Sequence, residues 1–431
     1  MNVKEGTKME FEGKRLLILG GPAPVCKVVN EAKKMGIHTI VTDMAANAPA
    51  KKLADETLPY SVTDSAHIVE WCRQHPVDGA VNFCVGLAQE THLKLAEEFG
   101  FPCYGTKEQY NALTDKRAFK QLCVENNVDI IRGYSEDDID SVVYPVLVKP
   151  TDSSGSRGGA VCYTKEEFIP ALKLAQQEST TGHAIIEQYM AGYQDLTISY
   201  LIKNGEPTLI SVGDRYPGRE EDGMIRQLAC TIQPSRYTGM YVKYVDERVK
   251  NMLRKLGLKN SPVFMQGFVD GNTVRMYDPA IRWPGNDYEL IYEHATGMSP
   301  MRNIITYAMG GEIDDYDGKM QGSYDLNGKT AMQYMVMAGE GTIATYDGLD
   351  EIRKLPFVLD AKQRHFIGDH IEQTGNINQR VCEISILVDR DPDKMREAVE
   401  QVQSLLKITD TDGKNMIISA FDKTLTENYR K

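Results

Sequence analysis

Tyr144-Pro145-Val146-Leu147-Val148-Lys149-Pro150-Thr151-Asp152-Ser153-Ser154-Gly155-Ser156-Arg157-Gly158-Gly159 reads as a short apolar strand, a lysine at its exit and a loop with almost no side-chain bulk. A chain that holds a polyphosphate needs those parts. The lysine supplies a point charge, and small residues let backbone N–H groups approach phosphate oxygens. Pro150 disfavours helix for the residue before it, so Lys149 is expected to be extended at the end of a strand over residues 146–148. Nucleotide binding is the first expectation, and the flanking sequence must supply the remaining parts.

The chain has 431 residues, enough for two or three domains with their own cores. A hydrophobic content of 42% with 26% charged residues is that of a folded globular chain. The net charge of −12, without a Lys/Arg block, argues against nucleic acid or an anionic membrane as partner. No apolar run approaches the length of a membrane span, and the first ten residues are polar, which predicts a cytoplasmic protein. The eight cysteines form no Cys-x-x-Cys and are expected to be reduced and mostly buried. The eight histidines show no paired metal spacing.

Upstream of the opening stretch, strand and helix signals alternate. Residues 15–19, 39–43 and 78–83 read as strands, and residues 25–35 and 91–99 as helices. Alternation with short connections predicts a parallel, doubly wound sheet. Gly20-Gly21 before a helix, with Asp43 at a strand tip, is a weak dinucleotide signal. Gly20, Pro22 and Val25 stand where three glycines belong, so a tight turn without a cofactor is expected. Downstream, residues 196–202 and 207–212 flank an Asn204-Gly205 turn, a strong hairpin signal. Residues 235–256 carry one apolar stripe and predict a single long helix. Residues 263–269 and 273–278 predict a second hairpin around 270–272. With that three-residue loop, Gln266 would face Met276, and Asp278 would be its diagonal neighbour on the same face. Past residue 311 strands and a helix recur without a reactive cluster, which predicts a cap or packing role.

Together these segments resemble the ATP-grasp superfamily, which includes carbamoyl-phosphate synthase large chains, biotin carboxylases and L-amino-acid ligases. The resemblance implies an α/β and α+β architecture. Residues 1–113 would form a Rossmann-like domain with a doubly wound parallel sheet. Residues 114–311 would form a two-lobed ATP-grasp module, its mobile lobe near 140–202, and residues 312–431 an α+β cap. Lys116 and Lys149 match the two phosphate lysines. Ser153, Ser154, Gly155, Ser156, Arg157, Gly158 and Gly159 match the loop that closes over the phosphates. Glu187, Gln188 and Met190 match the adenine pocket, and Asp195 the ribose position. Gln266 and Asp278 match the ligands of Mg²⁺ or Mn²⁺, and Arg282 matches the arginine that stabilises the transferred phosphoryl group. At residue 280, where the family usually has Asn, this chain has Ala280, leaving one carboxylate unless Asp287 or Glu289 compensates.

The resemblance implies a ligase: ATP phosphorylates a carboxylate, an amine or similar nucleophile attacks the acyl phosphate, and ADP and phosphate leave. Small-molecule carboxylate and amine substrates, and a homodimer, come with it. Arg215, Arg219 and Arg226 are candidates to clamp the substrate carboxylate. The competing expectation, motivated by Ala280, is a nucleotide-binding subunit or sensor with little turnover. An NAD-dependent oxidoreductase rests only on the weak glycine signal.

Overall fold

The computed structural model describes residues 11–136, 139–151, 159–179, 181–218, 228–284, 287–374 and 377–429. Its first part is a four-stranded parallel sheet in the order Glu56–Leu58, His38–Thr42, Arg15–Leu19, Gly79–Val81. The helices Cys26–Lys34 and Gln89–Phe99 follow the strands Arg15–Leu19 and Gly79–Val81, as the alternation predicts, and a further helix, Ser65–Gln74, follows Glu56–Leu58. Gly20 and Gly21 form a tight turn. Gly20 has φ of +93°, and a Cβ on Gly21 would lie 2.7 Å from that of Ala48. The Gly21 N–H donates to Asp43 Oδ2 at 2.8 Å, so Asp43 ties two loops together instead of offering its carboxylate to a ribose.

A small antiparallel sheet then runs Gly133–Tyr134, Ala184–Gln188, Val146–Pro150, Ala160–Cys162, with the helix Lys165–Glu178 packed on it through Phe168, Leu172 and Ala175. Lys149 is extended within Val146–Pro150, as the following proline requires. Opposite this lobe lies an eight-stranded sheet. Its first five strands are Thr273–Ala280, Ser261–Asp270, Asp195–Lys203, Glu206–Pro217 and Leu228–Gln233. Asn204 and Gly205 make the predicted two-residue turn, with φ of 51° and 87°. Two successive positive φ values match the twist of a tight hairpin.

Three expectations change. The long helix is two helices, Thr238–Tyr244 and Asp246–Leu256. The break lies at Val245 (φ −120°), where Asp246 opens the second helix. The Asp246 carboxylate accepts from Tyr200 Oη and pairs with Lys250, each at 2.7 Å, so a buried polar contact overrides continuous helical propensity. The second hairpin turns over two residues, with Asp270 opposite Thr273. A bulge between Gln266 and Gly267 then restores the face, placing Gln266 directly opposite Asp278. The segment past residue 311 is also more than a cap. Its strands Lys329–Met337, Arg380–Asp389 and Val358–Gln363 continue the eight-stranded sheet through Leu228–Gln233, while its side chains, including Val336, Ile384, Val399 and Phe421, close a core of their own.

All eight cysteines are free thiols, five of them buried. Among the described residues, no helix is long and apolar enough to cross a membrane.

Candidate active site

Between the small sheet and the edge of the large one lies a cleft of about 580 Å³. Lys116, Lys149, Gly159, Glu187, Gln188, Met190, Asp195, Gln266 and Asp278 all line it. These residues span more than 160 positions of sequence (278 − 116 = 162), and the fold brings them to one wall-to-wall space. Ser153, Ser154, Gly155, Ser156, Arg157 and Gly158 lie outside the described residues, as do Arg219 and Arg226.

Lys116 is the first residue of the helix Lys116–Glu125. Asp115 caps that helix by accepting from the N–H groups of Arg117 (2.9 Å) and Ala118 (2.8 Å). The cap fixes where the helix begins and so where Lys116 projects. Burial, then the nearby Lys149 ammonium, lowers the Lys116 pKa from its ordinary value. Lys149 and Glu187 are diagonal neighbours on one face of the small sheet, since Leu147 pairs with Glu187. Lys149 Nζ donates to Glu187 Oε2 at 3.0 Å. The other oxygen, Oε1, meets Lys120 Nζ at 2.7 Å. Glu187 is only 4% exposed. Burial alone would raise its pKa, but Lys149 and Lys120 outweigh that and hold the carboxyl below the usual range.

Across the cleft, Asp278 accepts no hydrogen bond from the described residues. Burial raises its pKa, while Lys116, Lys149, Arg282 and Arg215 act in the opposite direction. A carboxylate left unbonded, facing two lysines across a polar cleft and paired opposite an amide side chain, fits a hard divalent cation. Gln266 and Asp278 offer it oxygen; among the described residues no cluster of three or more His, Cys, Asp or Glu does more. Ala280 pairs with Phe264 and adds no donor. Asp287 and Glu289 do not take its place. Asp287 is ion-paired with Lys27 and Lys362 and accepts from Ser385 Oγ at 2.8 Å, and Glu289 pairs with Lys27 at 2.5 Å.

Asp195 accepts from Arg215 Nε at 2.8 Å and from Tyr277 Oη at 3.1 Å. Carboxylate oxygens have lone pairs to spare, so it remains able to accept from a ribose hydroxyl. Arg215 lines the same cleft and donates its Nε to Asp195. Arg282 lies just beyond the cleft wall. Its guanidinium sits 4.8 Å from the centroid of the Phe264 ring and donates to the Trp283 carbonyl at 2.9 Å. Burial lowers its pKa, opposed by Cys84 and Asp278.

Lys120, Tyr277 and the Lys27–Asp287–Glu289–Lys362 cluster are not picked out by sequence patterns. Lys120 could have been, because it follows Lys116 by one helical turn and so shares its face. The cluster joins residues 260 positions apart, and no local pattern encodes that.

Residues 115–240 match the family model described as the carbamoyl-phosphate synthase L chain, ATP binding domain. Among curated proteins, a formate-dependent phosphoribosylglycinamide formyltransferase of Bacillus velezensis is 23% identical over 258 residues, 57% of this chain and 65% of that protein. The matched region thus spans just under two thirds of that relative. Among solved structures, an L-amino acid ligase from Bacillus licheniformis superposes with a TM-score of 0.77 at 17% identity, covering 93% of this chain and 99% of that one. The biotin carboxylase domain dimer of Hydrogenobacter thermophilus 2-oxoglutarate carboxylase, in complex with MgADP, ADP and bicarbonate, gives 0.70 at 18% identity, covering 97% and 99%. A phosphoribosylglycinamide synthetase from Anaerococcus prevotii gives 0.74 at 18%, covering 92% and 100%. The architecture is therefore shared along nearly the whole chain with these solved structures, and the region that matches the ATP-binding domain model is the one that contributes Lys116, Lys149 and Glu187.

Proposed function

We propose that this protein is an ATP-dependent ligase that activates a small carboxylate as an acyl phosphate and joins it to an amine, releasing ADP and phosphate. The convergence of Lys116, Lys149, Gln266 and Asp278 on one cleft carries the reading. Phosphoryl transfer needs positioning and charge neutralisation, and little covalent help from the protein. Lys116 and Lys149 would hold the phosphates, the segment at Glu187, Gln188 and Met190 the adenine, and Asp195 the ribose. Gln266 and Asp278 would hold Mg²⁺ or Mn²⁺, which supplies charge neutralisation at the transferring phosphoryl group. Loop residues 153–158 would cover the phosphates. Arg282, next to Asp278, would stabilise the charge that develops on the acceptor side.

The acceptor would lie on the far side of Arg282, towards Lys27, Asp287, Glu289 and Lys362. Cys84 borders both groups, since Arg282, Glu289 and Lys27 all act on it. Burial pushes its thiol up to about 11, so Cys84 stays protonated and offers no thiolate nucleophile at neutral pH. The domain limits at residues 113 and 311, a mobile lobe near 140–202, a cytoplasmic setting where ATP is supplied, and a homodimer belong to the same proposal.

Incubating the pure protein with ATP, Mg²⁺ and pairs drawn from carboxylates, bicarbonate and amines is expected to release phosphate only with a matching pair. Omitting either partner should reduce release at least about tenfold, because water excluded from the closed site cannot stand in for the nucleophile. No release with any pair, beside intact ADP binding, would turn the reading towards a nucleotide-binding subunit.

A further inference from the structure

Glu187 holds two ammonium groups that stand differently to the cleft. Lys149 lines it, and Lys120 is absent from its wall. Lys120 approaches from the helix side past Gly133, the residue paired with Glu187 across the small sheet. A Cβ on Gly133 would already touch Lys120 Nζ at 3.5 Å, so a larger side chain there would compete for the ammonium's space. The carboxylate itself is nearly inaccessible to water. A buried carboxylate that loses its counter-charge is strongly disfavoured. If Lys149 were the sole partner, turning towards a phosphate would strand Glu187, and the pair would resist the nucleotide.

We propose that Lys120 is a positioning residue, the stationary counter-ion that frees Lys149 to leave Glu187 Oε2 for a phosphate oxygen while Glu187 stays ionised and in place. This rests on the reading of the cleft as a nucleotide site. Three cations crowd this space, and both Lys149 and Lys120 disfavour the charge on Lys116. An incoming polyphosphate relieves that repulsion at the same step, so the exchange of partners by Lys149 leaves no cation unpaired.

The test is calorimetry with Mg·ADP and, separately, with adenosine, which has no phosphate for Lys149 to reach. Lys120→Met is expected to weaken ADP binding about tenfold, ~1.4 kcal/mol, and adenosine binding less than about twofold. Lys120→Arg, which keeps the charge, should remain near wild type. In the Glu187→Gln background, where no carboxylate is left to strand, adding Lys120→Met should change ADP affinity less than about twofold. That background also serves if Lys120→Met alone does not fold, because the buried charge is already gone. Equal ADP affinity in Lys120→Met and wild type would overturn the proposal. So would parallel losses for ADP and adenosine, or an undiminished loss in the Glu187→Gln background, which would assign Lys120 to fold maintenance. Wild-type protein that binds no ADP would instead refute the nucleotide reading itself.

Discussion

Asp278→Asn is expected to lower ATP turnover by about a thousandfold, ~4 kcal/mol of transition-state stabilisation, with the fold unchanged. Asp278 is the one carboxylate among the described residues that faces the cleft without a hydrogen-bonding partner, and Gln266 opposite it brings no charge. The asparagine keeps shape and one oxygen but loses the charge that a divalent cation requires. Binding of ATP without metal should move the other way and tighten slightly, because the substitution removes a negative group facing the phosphates. Asp278→Glu restores a carboxylate and should recover much of the rate. Acidification should mimic the asparagine. The folded-state pKa of Asp278 is raised by burial, so protonation begins at a higher pH than for an exposed aspartate. Metal-dependent turnover should therefore fall as pH drops through that raised value, and metal titrations at several pH values would show it. Turnover retained within about tenfold in Asp278→Asn would remove this residue from the metal site.

Asp287→Ala is expected to destabilise the protein by about 3 kcal/mol, the lower end of the range for stripping one partner from a buried ion pair. Asp287 is 2% exposed and sits between Lys27 of the first region and Lys362 of the last, with Ser385 on its second oxygen. The two lysines keep roughly a quarter of their side-chain surface in water, which softens the loss. Replacing Lys27 by Met in the same protein should recover part of it by removing one stranded charge. The pH dependence has a definite sign. Burial would raise the Asp287 pKa, but Lys27 and Lys362 outweigh it and bring it down to about 2, against 3.8 for the free group. The native state then binds fewer protons than the unfolded state between those values. The contribution, about 2 kcal/mol, is full above pH ~4 and lost by pH ~2. Urea midpoints measured across that interval should fall with acid in the wild type, and this share of the slope should vanish in Asp287→Ala. An unchanged midpoint at neutral pH would mean that the three regions are held together elsewhere.

Much of this site was legible residue by residue. Pro150 fixed the extended state of Lys149, and Asn204-Gly205 marked a tight hairpin. Each is a local rule, decided by sterics or by one short hydrogen bond. The relation between Gln266 and Asp278 was half legible. Their shared face follows from strand alternation, but their direct pairing depends on a two-residue turn and a compensating bulge. The break at Val245 was hidden because the apolar stripe runs on unbroken through it, while Asp246 answers to Tyr200, forty-six residues earlier.

What the chain determined by itself is therefore the inventory: strand, lysine, small-residue loop, hairpins and the carboxylate at 278. Backbone preferences act over a few residues and can be read in order. Only the tertiary structure decided which charges meet. Lys120 and Lys149 share Glu187, Arg215 pairs with Asp195, and Lys27 and Lys362 close on Asp287 from opposite ends of the sequence. Electrostatic partners are chosen by distance and burial, and both are properties of packed sheets and helices.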